Sequence, residues 1–164
     1  MHKGFWCCAL VAWLAMGGCS ERPYQRDAKP VSFSIVEVVD CKPSMQPLTL
    51  IGSTEKYCLA AQPIVTEADV RDAVPGTSES NQPILNLYFT LKVGERLRAE
   101  TQRINNEHLA RGDHGKLAMV VDGKLVSAAN LYGTLADTIM VTMSTREEAK
   151  DLATRLNAPR PRAQ

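Results

Sequence analysis

Alternation of apolar and polar side chains is clearest from Ile84 to Leu91. Leu85, Leu87, Phe89 and Leu91 recur at every second position, with Asn86, Tyr88 and Thr90 between them. A period of two puts each set on its own face, so the segment predicts a strand buried on one side. Val31 to Asp40 begins the same way, with Val31, Phe33 and Ile35 against Ser32 and Ser34. Apolar residues of both parities then continue to Val39, which predicts a bulge or burial on both faces. Lys56 to Ala61 and Asp137 to Met143 are two further predicted strands. Lys116 to Val121 and Lys124 to Ala129 flank Asp122-Gly123. Those two residues tolerate positive φ, so a tight type I′ hairpin is expected.

Three segments show helical features instead. From Glu95 to His108, Leu97, Thr101, Ile104 and His108 fall on one stripe, and Arg96, Arg103 and Glu107 fall mostly outside it. Thr66-Glu67-Ala68-Asp69 resembles a capping box. It predicts a short helix with Val70, Ala73 and Val74 inward, ended by Gly76 and succeeded by a loop from Thr77 to Pro83. Ser144-Thr145-Arg146-Glu147 is a second box, ahead of a stripe of Ala149, Leu152, Ala153 and Leu156. The expected order is β, β, α, β, α, β, β, β, α. The expected fold is α+β, a two-layer sandwich of a mixed, mostly antiparallel sheet with helices on one face.

The N-terminus has a different pattern. Lys3 precedes an unbroken apolar run from Phe5 to Met16, and Gly17, Gly18 and Cys19 come next. A positive start, a short apolar core and small residues at a cut site predict a secretory signal peptide over residues 1–18. Leu14-Ala15-Met16-Gly17-Gly18-Cys19 resembles a bacterial lipobox, with Met16 where that motif usually has Leu. The resemblance implies that Cys19 is acylated, palmitate included, and becomes the mature N-terminus. Each buried CH₂ of an acyl chain contributes about 0.8 kcal/mol, so several chains would hold the protein on a membrane. Ser20 after the cysteine implies the outer membrane, on its periplasmic side, where the host has two membranes. Residues 19–30, polar and holding Pro23 and Pro30, read as a tether. One folded domain is expected over 31–158, with a basic tail over 159–164.

Charge and composition narrow the function. Hydrophobic residues make up 45% and charged residues 23%, ordinary globular usage. The net charge is +1, and cleavage after Gly18 would remove Lys3 alone and leave the two signs balanced. A nucleic-acid binder needs a basic excess to neutralise phosphates, so that class is disfavoured. No apolar run is long enough for a conventional membrane span. Cys41 and Cys58 remain after Cys7 and Cys8 leave with the leader and Cys19 takes lipid. An even pair in an oxidising compartment most simply forms one disulfide. It would close a loop containing Pro43, Pro47 and Gly52.

Candidate chemistry is sparse. His108, Asp113 and His114 could gather two imidazoles and a carboxylate, an incomplete metal site that would suit a small metal-dependent envelope enzyme. A helix C-terminus selects the same residues, with His108 and Arg111 at the negative end of the dipole and Gly112 turning the chain. No nucleophile elbow and no phosphate-cradling glycine loop is present. No catalytic, cofactor-binding or metal residue is assigned. A binding or assembly module is expected.

Four stretches carry a family resemblance. Tyr57 to Val70, with Gln62-Pro63-Ile64-Val65-Thr66 and Asp69 at its centre, is one, and Leu85 to Leu91 is another. Gly115-Lys116-Leu117-Ala118-Met119-Val120-Val121-Asp122-Gly123-Lys124-Leu125-Val126-Ser127-Ala128-Ala129 is the most specific, with Ala129 where the family usually has Pro. Thr145 to Asn157, with Glu147, Glu148, Ala149, Leu152 and Ala153, completes the set. Together they resemble the head subdomain of the first periplasmic domain of SecD and SecDF. The resemblance implies contact with secreted or unfolded polypeptides, and not the proton-driven work of the whole membrane protein. An extended peptide would bind at a strand edge or in a groove, with Asn86, Tyr88 and Thr90 as exposed candidates. The competing expectation is a structural or regulatory lipoprotein docking on one envelope partner.

Overall fold

A computed structural model describes residues 29–159. The leader, Cys19, the tether up to residue 28 and the tail beyond residue 159 lie outside the described residues. Among the described residues nine strands and two α-helices succeed one another: β1 (Phe33–Val39), β2 (Leu48–Thr49), β3 (Lys56–Leu59), β4 (Val65–Thr66), β5 (Val70–Thr77), β6 (Pro83–Phe89), α1 (Leu91–Leu109), β7 (Lys116–Val121), β8 (Lys124–Asn130), β9 (Thr138–Thr142) and α2 (Arg146–Leu156). The fold is α+β. Its strands divide between two antiparallel sheets, one ordered β2-β3-β1-β7-β8 with β4 also on β1, the other ordered β5-β6-β9.

β1 is central to the larger sheet. β7 runs along one side of it, from Phe33↔Val121 to Glu37↔Leu117. β4 and β3 take the other side in tandem, near Ile35 and near Val39 respectively. Ile35 and Val36 are both buried, so apolar residues of both parities reflect burial on two faces there. The irregularities in the ladders lie elsewhere, at Met119/Val120 and at Val70/Asp72. The β7–β8 turn has Asp122 at φ 50° and Gly123 at φ 75°, as a type I′ turn requires. Asp122 also ties down the segment that enters β1: its amide donates to the Ser32 carbonyl at 2.8 Å, and its carboxylate accepts from the Ser32 amide at 3.1 Å.

One expected helix is a strand. Thr66 and Asp69 do form the start of a helix, with the Thr66 amide 2.9 Å from the Asp69 carboxylate, but it ends after one 3-10 turn, Glu67–Asp69. Val70–Thr77 then pairs with β6 along its length. A helix continued through this segment would carry Pro75 in its interior, with a missing hydrogen bond and a ring clash. An edge strand accepts the same residue, because an outward-facing N–H has no ladder partner to lose. Ala73 is buried as expected, whereas Val74 is 40% exposed on the opposite face.

The strand-to-helix boundary also falls earlier than the alternation suggested. β6 ends at Phe89, and Thr90 caps α1 by accepting a hydrogen bond from the Val93 amide at 3.4 Å. Leu91 is therefore not on the buried face with Leu85, Leu87 and Phe89. It is 78% exposed in the first turn of α1. At α2 the cap lies one residue later than the Ser144 box, with Thr145 Oγ1 accepting from the Glu148 amide at 3.1 Å.

One core joins both sheets and both helices. Phe33, Leu85, Leu87, Phe89, Leu97, Ile104 and Leu152 are among its buried members. Each such side chain contributes roughly 1.5–3 kcal/mol on leaving water. α1 lies close over the start of β7: a Cβ on Gly115 would collide with the Ile104 side chain. Thr101, fully buried in α1, donates to the Leu97 carbonyl at 2.8 Å and accepts from the Leu135 amide at 3.0 Å, which pins the loop leading to β9.

Candidate functional site

The residues nominated for metal chemistry line one cleft but do not converge. His108 Nδ1 lies 2.9 Å from the Asp113 carboxylate. His114 turns instead toward Tyr132, with ring centroids 4.9 Å apart. The His108 carbonyl accepts the Arg111 and Asp113 amides, and Gly112 adopts φ 76° beside them. That is the geometry of a helix terminus. Among the described residues no three His, Cys, Asp or Glu gather as a metal site requires.

Charge on the outer side of α1 is locally paired. Arg103 reaches Glu37 on β1 at 2.6 Å, Glu107 at 2.9 Å and Glu100 at 3.0 Å. These three carboxylates, Glu37 foremost, raise the guanidinium pKa further above its ordinary value. Arg96 reaches Asp69 at 2.7 Å. Burial pushes the Asp69 carboxyl up, but the Thr66 amide and Arg96 outweigh it and hold the group below its usual pKa. The network fastens α1 to β1 and to the 3-10 turn.

Cys41 and Cys58 are joined by a disulfide, with Cα atoms 5.2 Å apart. Cys58 is fully buried in β3. The bond therefore holds the loop from Lys42 to Tyr57 against the larger sheet. Within that loop, β2 pairs with β3, and Leu50 bridges to Leu125 on β8, so the larger sheet curls toward closure.

Asn86 and Tyr88 lie on β6, the middle strand of the smaller sheet. Both edges of its backbone are taken by β5 and β9. It cannot accept an added strand, and Thr90 belongs to the helix cap. These three residues are set aside as a main-chain docking site, because strand order governs edge availability and alternation along one strand does not reveal it.

The concave surface lies between the two sheets. A groove of about 290 Å³ is walled on one side by Leu117, Met119, Ser127 and Ala129 of β7 and β8, and on the other by Ile139 to Thr142 of β9. Met119 and Thr142 also line a second hollow of about 250 Å³, so the two adjoin. That second hollow runs toward α2 and is rimmed by charge: Asp122, Lys124, Glu148, Asp151 and Arg155. Arg155 pairs with Asp122 at 2.6 Å. This hydrogen bond, with that from the Ser32 amide, lowers the Asp122 pKa. The groove offers apolar walls and a polar rim but no nucleophile paired with a base. Its residues come from strands distant in sequence, and no spacing signal announces them.

The comparisons with known proteins agree with this architecture. The family model for the SecDF P1 head subdomain matches residues 44–159. A solved structure of SecDF, described as a membrane component that enhances protein export, is similar with a TM-score of 0.60 and 20% identity. That similarity covers 80% of this chain and 64% of the other. SecDF in a super-membrane-facing form gives a TM-score of 0.60 at 18% identity, over 80% of this chain and 19% of the larger one. The chain thus spans less than two thirds of the length of either relative. No curated protein matches it in sequence. At such identities the solved structures establish the shared fold, and the family match extends over most of the chain: the protein belongs to the SecDF P1 head subdomain family.

Proposed function

We propose that this protein is a lipid-anchored head module of the bacterial cell envelope that binds unfolded polypeptide on the periplasmic side during protein export. The observation that carries the reading is the groove between the sheets, in a domain of the SecDF P1 head family. Its walls are apolar or small, with Met119 and Met140 as adaptable thioether side chains. Such a surface accommodates many sequences, as an emerging chain demands. The lipobox-like Cys19 supports anchoring by acylation, and Ser20 supports delivery to the outer membrane. Among the described residues no helix is long and apolar enough to cross a membrane.

Anchoring and binding support one another physically. The first described residues run beside the Asp122 turn, where Arg155 donates to the Lys29 carbonyl at 3.4 Å. Asp122 and Arg155 rim the hollow that adjoins the groove, so a tether leading to Cys19 would leave beside that hollow. A tether of about ten residues reaches at most ~35 Å, which would keep the groove close to the membrane surface.

Fluorescence anisotropy with the full chain tests binding directly. A labelled small protein, reduced and alkylated so that it cannot fold, is expected to bind, and its native form is not. Equal binding of both forms, or of neither, contradicts the reading.

A further inference from the structure

We infer that the occupant of the groove is an extended polypeptide segment that adds to the outer edge of β9 as a fourth strand of the smaller sheet. The inference deepens the proposed polypeptide-binding function and rests on it.

The register of the sheet carries the argument. Asp137 and Met143 flank β9 and bond to Phe89 and Pro83, each at 2.9 Å. Antiparallel ladders alternate, so Ile139 and Val141 direct their backbone groups to Leu87 and Leu85 on β6. Thr138, Met140 and Thr142 therefore turn their N–H and C=O groups outward. Among the described residues no hydrogen bond takes up the outward groups of Met140.

The other margins are guarded at some positions. On β5, the outward groups of Ala73 are bonded to the Asn157 side chain, and Pro75 has no N–H to offer. On β8, the Leu125 carbonyl accepts from the Ile51 amide at 3.0 Å. β9, Thr138-Ile139-Met140-Val141-Thr142, has neither proline nor charge, the usual devices that keep an edge from pairing. Met140 is 62% exposed.

Unpaired amides and carbonyls at strand spacing match one ligand chemistry, another polypeptide backbone. The opposite wall of the groove favours a single strand over a second copy of the chain. β9 faces β7 and β8 across the groove, so an added strand would lie between these walls, whereas a second copy would bring its own β8 wall into the same space.

The test uses the full chain and an eight-residue peptide alternating Val and Thr, fluorescently labelled. A second peptide is N-methylated at its four central residues, which keeps the side chains and removes the donors. The methylated peptide is expected to bind about tenfold more weakly or worse. Met140→Pro removes an outward donor without touching the bonds to β6, and should weaken the unmodified peptide by a similar factor. Thr142→Pro is the second variant should Met140→Pro fail to fold, and the two-peptide comparison requires neither. Equal affinity of the two peptides, or full affinity in a folded Met140→Pro or Thr142→Pro variant, overturns strand addition. So does a concentration-dependent dimer abolished by Met140→Pro, because the edge would then serve a second copy. Retained binding of the unfolded protein in those cases leaves the proposed function standing; loss of all polypeptide binding removes both.

Discussion

The side-chain amide of Asn157 pairs with both backbone groups of Ala73, accepting from its N–H at 2.9 Å and donating to its C=O at 2.8 Å. A residue at the end of α2 thereby acts as a short piece of strand on the β5 edge. The helix is docked and the edge is closed by the same two hydrogen bonds. Asn157→Ala would leave the Ala73 carbonyl short of a partner, at a cost of about 1–2 kcal/mol in unfolding free energy. Denaturant unfolding of the variant checks this, and an unchanged midpoint would show that the pairing contributes nothing.

Acid should loosen the domain through two carboxylates. The Arg155 guanidinium and the Ser32 amide lower the Asp122 pKa, and Thr66 and Arg96 lower that of Asp69 against the opposing effect of burial. A carboxyl whose folded pKa is depressed stabilises the fold above its unfolded pKa of about 4. That stability is lost as pH falls through the lower, folded value. Melting temperatures from pH 7 to pH 3 should therefore drop, and Asp122→Asn and Asp69→Asn should each flatten the decline. A wild-type slope retained in both variants would place the acid sensitivity elsewhere.

Reduction is a second route to loosening. The Cys41–Cys58 bond spans a sequence separation of 17, for which loop-closure entropy gives about 3 kcal/mol. Reductant, or Cys41→Ser, should lower the melting temperature. The shift should be accompanied by faster proteolysis between Lys42 and Tyr57. An unchanged melt would mean that β2, β3 and the Leu50–Leu125 bridge hold the loop unaided.

The anchor is checked by mass. The purified mature chain is expected to begin at Cys19 and to carry fatty acyl groups there. Cys19→Ala should leave the protein unlipidated and released from membranes. A chain beginning at Met1, or a Cys19 without acyl groups, contradicts the anchoring.

Local signals match local structure. Asp122-Gly123 marks its hairpin, the Leu85–Leu87–Phe89 alternation marks β6, and Leu97, Thr101 and Ile104 line the buried face of α1. The capping pattern at Thr66 is equally true but reaches only one turn, because Pro75 and the long ladder with β6 make a strand of Val70–Thr77. The groove is not legible in this way. Met119, Ser127 and Met140 become neighbours only once β9 is placed on the far side of β6. Which strand keeps a free edge is a property of strand order, which depends on contacts between segments far apart in the chain.

Photo-crosslinking in living cells addresses polypeptide capture most directly. A photoreactive residue replacing Ser127, on the groove wall, is predicted to give a heterogeneous ladder of adducts with secreted chains that vanishes when their synthesis is blocked. One discrete adduct of constant mass, unaffected by that block, would contradict the account and identify a dedicated docking partner.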